Sequence, residues 1–161
     1  DQYTWSSYNP TTRKVIYTQK ADKLTIMDGS SQIIFTINAN EQVVSYEQIY
    51  AGTVQVLGKE RQLITAQKAV EILYLGGRIN SKATVQSVKL SYYRSLVLKD
   101  FSIYSPAWYI EIRQADGQLI ARRVDAIHGT VLANETIETA NTQTQRTTTN
   151  NTTTTQTVQQ Q

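Results

Sequence analysis

Thr65-Ala66-Gln67-Lys68-Ala69-Val70-Glu71-Ile72-Leu73-Tyr74-Leu75-Gly76-Gly77 is the stretch on which the fold class turns. Thr65 is a good N-cap, since its hydroxyl can accept from an amide left unpaired in the first helical turn. Ala66, Ala69, Val70, Leu73 and Tyr74 recur at i, i+3, i+4, i+7 and i+8, which predicts one apolar stripe, with Gln67, Lys68 and Glu71 on the wet face. Gly76-Gly77 ends the pattern, because glycine takes the left-handed conformation that closes helices. The spacing therefore predicts one helix, at about residues 65–75.

Everything around this helix reads as strand. Lys14 to Gln19, Leu24 to Met27 and Ile33 to Ile37 are short and β-branched or aromatic. Asp28-Gly29-Ser30 signals a turn, and Asn38-Ala39-Asn40-Glu41 closes the third run. Val44, Tyr46, Gln48 and Tyr50 then alternate with Ser45, Glu47 and Ile49. Four strands without an intervening helix predict an antiparallel meander. After the helix come Thr84 to Tyr93, Ala107 to Gln114, an Ala115-Asp116-Gly117-Gln118 hairpin turn, Leu119 to Val124 and a short Thr130-Val131-Leu132. The expected class is α+β, an antiparallel sheet or sheets with at least one helix packed on them.

The 161 residues and 40 % hydrophobic content are enough for a real core. The segment 134–161 is nearly all Thr, Gln and Asn and cannot offset the entropy of ordering its backbone. The expected folded unit is 1–133, divisible into a strand-rich 1–62 and a helix-plus-hairpin 63–133, followed by a tail whose removal after about Glu135 should leave the melting temperature nearly unchanged.

The chain has no cysteine, which excludes disulfides, thiolate nucleophiles and cysteine-ligated zinc. A charge of +3 is mild, and its basic residues are interspersed with acids; Arg122 and Arg123 point to opposite faces of a strand. That pattern argues against nucleic-acid binding. His128, the sole histidine, reads as a turn residue beside Gly129. Asp22, Asp28, Asp100, Asp116 and Asp125 read mostly as turn aspartates rather than catalytic pairs. No catalytic residue, metal ligand or cofactor site is therefore expected. Ten tyrosines and two tryptophans against two phenylalanines favour amphipathic rings, which suit a sheet rim or a protein-binding face. Among them Tyr92, Tyr93, Trp108 and Tyr109 are the candidate interaction residues.

An ordered set of motifs resembles the YycI family: Thr65 to Tyr74, Gly77-Arg78-Ile79, Val88 to Tyr93, Ser105 to Ile110, and Val124 to Val131, with Tyr17-Thr18-Gln19 and Ser45 to Tyr50 upstream. Ser91 stands where that family usually has glycine, Ala107 where it has valine and Asp125 where it has asparagine. The resemblance implies a non-catalytic domain outside the plasma membrane of low-GC Gram-positive bacteria, held by an N-terminal anchor that this chain lacks. With a sister protein, YycH, it would modulate the WalK (YycG) histidine kinase and so cell-wall metabolism. The last third also resembles a PepSY-type module, which implies an alternative role in restraining or chaperoning a secreted peptidase. A carboxylate-based cell-wall hydrolase is the third possibility weighed. An exposed sheet edge would equally suit pairing with a second copy of the chain.

Overall fold

The computed structural model describes residues 2–55 and 57–133; the Thr/Gln/Asn segment, and with it the expectation of a dispensable tail, lies outside the described residues. The class is α+β, mostly antiparallel sheet with one short helix. A first sheet contains β1 (Tyr3–Asn9), β2 (Lys14–Ala21), β3 (Leu24–Thr25), β4 (Gln32–Ile37) and β5 (Val43–Ile49). After α1 (Ala66–Leu75) a second sheet contains β6 (Thr84–Val97), β7 (Ser102–Arg113) and β8 (Leu119–Asp125) in that spatial order.

The first sheet corrects the simple meander. Its path is β1-β2-β4-β5, so Tyr3 to Asn9 forms an edge strand, and the expected second strand shrinks to the two residues of β3. The reason is local. Asp22, at φ 54°, reverses the chain tightly, and β3 pairs only with the end of β2. Ile26 then leaves to bridge Tyr92 in parallel, and the Met27 amide donates to the Tyr92 carbonyl (3.0 Å). The residues expected to extend β3 serve the second sheet instead.

The helix forms as its sequence dictates. Thr65 Oγ1 accepts from the Lys68 amide (3.1 Å). At the other end Gly77 takes φ 66°, its amide donates to Tyr74 O (3.1 Å), and the Arg78 amide donates to Leu73 O (2.8 Å). These two bonds are the glycine-dependent Schellman closure. Ala69 and Leu73 are fully buried against Ile110, Ile112 and Val124, with Trp108, Val88 and Ile120 at the margin. Tyr74 departs from the expected stripe and is exposed. Ile72 is half-buried in its place, because the Gly129 loop comes to meet it; a Cβ on Gly129 would lie 3.1 Å from Ile72 Cδ1.

β6 and β7 run well beyond the expected Thr84–Tyr93 and Ala107–Gln114, meeting in one long hairpin from Thr84↔Arg113 to Val97↔Ser102. Pro106 is tolerated within β7 because β8 begins to pair only at Ala107↔Asp125. The β7–β8 turn is a three-residue loop with Gly117 at φ 85°, and the Asp116 carboxylate accepts from the Gln118 amide (2.9 Å). The expected last strand is reduced to a Val124↔Val131 bridge with two flanking backbone bonds, Asp125 N to Thr130 O and Leu132 N to Arg123 O.

The sheets are joined through Asp28, which is more than a turn residue. Its Oδ1 accepts from the Ser30 amide (2.8 Å) and Ser30 hydroxyl (2.5 Å), while Oδ2 accepts from the Arg94 amide in β6 (2.5 Å). The Ser30 hydroxyl lies 3.2 Å from the Tyr104 hydroxyl of β7.

Candidate interaction surface

The tyrosines and tryptophan singled out in the second sheet do not share a face. In the register Leu90↔Trp108 and Lys89↔Tyr109, Tyr92 and Trp108 lie on the helix side while Tyr93 and Tyr109 lie on the other. Three of the four are also committed to the fold through their side chains, and Tyr92 through its backbone. Trp108 Nε1 donates to Ile64 O (2.9 Å), tying down the segment before α1. The Tyr92 carbonyl holds Met27. Tyr109 is only 3 % exposed, and burial, aided by the negative charge of Glu111 and opposed by Arg123, pushes its hydroxyl up to about 12. The Tyr93 hydroxyl donates to Asp125 Oδ2 (2.9 Å); burial first, then that bond and the Asp125 charge, push it up to about 12.

Asp125 organises the closing turn. Its Oδ1 accepts from the amides of Ile127 (2.8 Å) and His128 (2.7 Å). Burial alone would raise this carboxyl; the His128 amide, the Tyr93 hydroxyl and the Ile127 amide outweigh it and hold the group below the usual carboxylate range. His128 Nδ1 lies 3.2 Å from the same oxygen with the side chain largely exposed. This is capping chemistry. Ser91 and Ala107, two departures from the resembled family pattern, face each other in register, both fully buried, with the Ser91 hydroxyl donating to Ala107 O (3.2 Å).

The open surface lies on the first sheet. Three register rows read Trp5↔Tyr17↔Ile33↔Gln48, Tyr8↔Val15↔Phe35↔Tyr46 and Ile37↔Val43. Residues directly opposite one another point to the same side, so these side chains form one face, with Tyr3 beside them. None of its aromatic or aliphatic members is buried, and Trp5, Tyr8 and Tyr46 are 60, 46 and 69 % exposed. The rings form a connected set. Tyr17 and Phe35 meet edge-on with centroids 5.9 Å apart, Phe35 and Tyr46 lie at 6.3 Å, and Gln48 Nε2 donates to the Tyr3 hydroxyl (3.1 Å).

Two β-bulges build this face. In β1 the register steps from Trp5↔Tyr17 to Ser7↔Ile16, leaving Ser6 as the extra residue and returning Tyr8 to the side of Trp5. In β5 the step from Thr36↔Ser45 to Ile37↔Val43 leaves out Val44 and brings Val43 to the side of Tyr46. The alternation read from the sequence placed Val44 with Tyr46, and the bulge reverses that. All seven residues of β5 are exposed, so it has no buried face.

The edges differ in the same sense. β6 is partly covered by Ile26 and Met27, and β8 by residues 130–132. Among the described residues, the outer edges of β1 and β5 have no paired strand. Neither strand carries the lysine or proline that commonly blunts an exposed edge; each has one bulge, and β5 adds a single charge, Glu47. Contiguous exposed rings beside an open edge form the kind of surface that proteins use to bind other proteins.

Among the described residues no helix is long and apolar enough to cross a membrane. One protein-family model, described as YycI protein, matches residues 1–127. Comparison with curated proteins gave no match.

Proposed function

This chain belongs to the YycI family, whose members are regulatory accessories of two-component systems, and we propose that it works outside the plasma membrane as a non-catalytic docking domain. In this reading it is membrane-anchored and, with a YycH-type sister protein, binds the ectodomain of a WalK (YycG)-type histidine kinase, adjusting its control of cell-wall metabolism. The observation that carries the reading is the uncovered face of Trp5, Tyr8 and Tyr46 beside the open β5 edge. Large amphipathic rings dominate the energetics of protein interfaces, and a bare edge offers backbone hydrogen bonds to a partner strand. In the second sheet the Asp125 carboxylate is occupied in capping the closing turn and the Tyr93 hydroxyl in bonding to it, which fits a scaffold rather than a reaction centre.

The test is sedimentation of the chain with purified YycH-type and WalK-type ectodomains, repeated with membrane-embedded full-length partners. A defined complex is expected, weakened roughly tenfold or more in a Trp5→Ala/Tyr46→Ala double variant, as for central aromatic anchors. A complex indifferent to that variant would remove the face from the mechanism. Absence of any complex in both formats, with stoichiometric inhibition of a secreted peptidase, would transfer the function to the PepSY-type role.

A further inference from the structure

The far end of the β6–β7 hairpin carries a second apolar surface of a different shape. β8 stops pairing at Ala107, so beyond it the hairpin continues as a two-stranded ribbon. At the base of this ribbon the Arg94 amide is held by Asp28, and Tyr104 lies against Ser30. Beyond that base, Leu96, Val97, Leu98 and Phe101 are between 42 and 62 % exposed. The reversal itself is an ordinary polar pair, Lys99-Asp100, but the residues that flank it are Leu98 and Phe101, and the Leu98 amide donates to Phe101 O (2.9 Å).

The side chains are sorted. A bulge at Ser95 steps the register from Arg94↔Tyr104 to Leu96↔Ile103, so Leu96 and Ile103 share a side with Leu98 and Phe101. Ser95 fixes the bulge, its hydroxyl donating to Ile103 O (3.1 Å) and accepting from the Ser105 hydroxyl (2.8 Å). The apolar tip is thus presented by an ordered ribbon.

We propose that this tip inserts into the surface of a lipid bilayer. The shape argues for a bilayer over a protein. The tip is the narrow end of a two-stranded ribbon, with apolar side chains exposed at its end. Polar groups follow in the order an interface requires. Lys99 at the apex has a stem long enough to return its ammonium to the headgroups, and Arg94 and Tyr104 lie at the base. Four residue steps run from Arg94 to Leu98, roughly 13 Å in extended chain, against an insertion depth of about 5–10 Å, so Arg94 sits at headgroup level. Within residues 94–104 Arg94 and Lys99 outweigh Asp100, a small positive charge suited to anionic lipid, while the Asp28 carboxylate is buried behind them at the base.

The 161-residue chain would be sedimented with vesicles of phosphatidylcholine alone, and with vesicles containing about one-third phosphatidylglycerol. It is expected to partition onto both and more strongly onto the anionic set. A Leu98→Ser/Phe101→Ser variant should lose at least roughly tenfold of that partitioning, by loss of inserted apolar area. Lys99→Ser should lose the anionic preference alone. Circular dichroism and melting temperature show that each variant is folded, and Trp5→Ala/Tyr46→Ala serves as a control that keeps wild-type partitioning. No binding to either vesicle overturns the proposal. Binding that survives the double serine variant, including salt-sensitive adsorption to anionic vesicles only, also overturns it. If the tip variant instead abolishes the kinase or sister complex without any vesicle binding, the tip is a protein contact. The aromatic-face reading stands or falls separately.

Discussion

Asp28 is where the fold can be tested most sharply. The residue is 8 % exposed and its carboxylate accepts three hydrogen bonds, two from Ser30 and one from the Arg94 backbone of the other sheet. A hydrogen bond to a charged acceptor contributes about 1.5–3 kcal/mol net, and a buried donor left unpaired costs about 1–3 kcal/mol. The three bonds share one carboxylate and are not additive, so Asp28→Ala should destabilise by about 3 kcal/mol, within a span of roughly 2–4. Asp28→Asn is the discriminating variant. Its amide oxygen can still serve Ser30, but its NH2 group would face the Arg94 amide, donor against donor. About 2 kcal/mol should be lost, with the cross-sheet bond bearing the larger part. Urea unfolding followed by far-ultraviolet circular dichroism gives the free energies, and native-state hydrogen exchange at the Arg94 amide reports the cross-sheet bond directly. Protection there should fall in both variants, whereas Ser30→Ala should spare it. An Asp28→Ala protein within about 0.5 kcal/mol of wild type, or an Arg94 amide still protected in Asp28→Asn, would refute the reasoning.

Two further outcomes are expected. The Asp125 carboxyl is held below its ordinary range in the folded chain, so the folded state favours the ionised form. Its contribution is therefore fully present above the unfolded value of about 3.9 and lost as pH falls through the lower folded value. Melting temperature measured from roughly pH 6 to 2 should fall along an acid limb that Asp125→Asn makes shallower; an unchanged limb would dissociate the residue from acid stability. Leu73→Ala, at a fully buried site against Ile110, Ile112 and Val124, should cost about 3 kcal/mol by urea titration, while Tyr74→Ala next to it should cost under about 1.

How much of this was legible follows from how local each feature is. The Thr65 cap, the Gly76-Gly77 stop and the Gly117 turn depend on neighbours within a few residues, and their sequence signatures match what is observed. Asp28 reads correctly as a turn residue, but its second oxygen serves an amide 66 residues away, which no local pattern announces. The family resemblance rests mainly on motifs around the helix and the second sheet, with Tyr17 to Gln19 and Ser45 to Tyr50 in the first, and the candidate residues lie in the second sheet. There the rings of Trp108 and Tyr109 are absorbed by the fold. The exposed face lay hidden because two bulges break the period of two: Tyr3, Trp5 and Tyr8 look out of phase, as do Val43 and Tyr46, until the partner strands are aligned. The clue available was the absence of charge from Tyr3 to Asn9, unusual for a strand at a sheet edge.

Those bulges also set how the chain can change length. Almost any single replacement at Ser6 or Val44 keeps the count of residues and hence the side on which every later side chain emerges. Removing either residue does not. Loss of Ser6 would force a choice between keeping Trp5 and keeping Tyr8 on the shared face, and loss of Val44 would do the same to Val43 and Tyr46. At these two positions the molecule tolerates respelling but not omission.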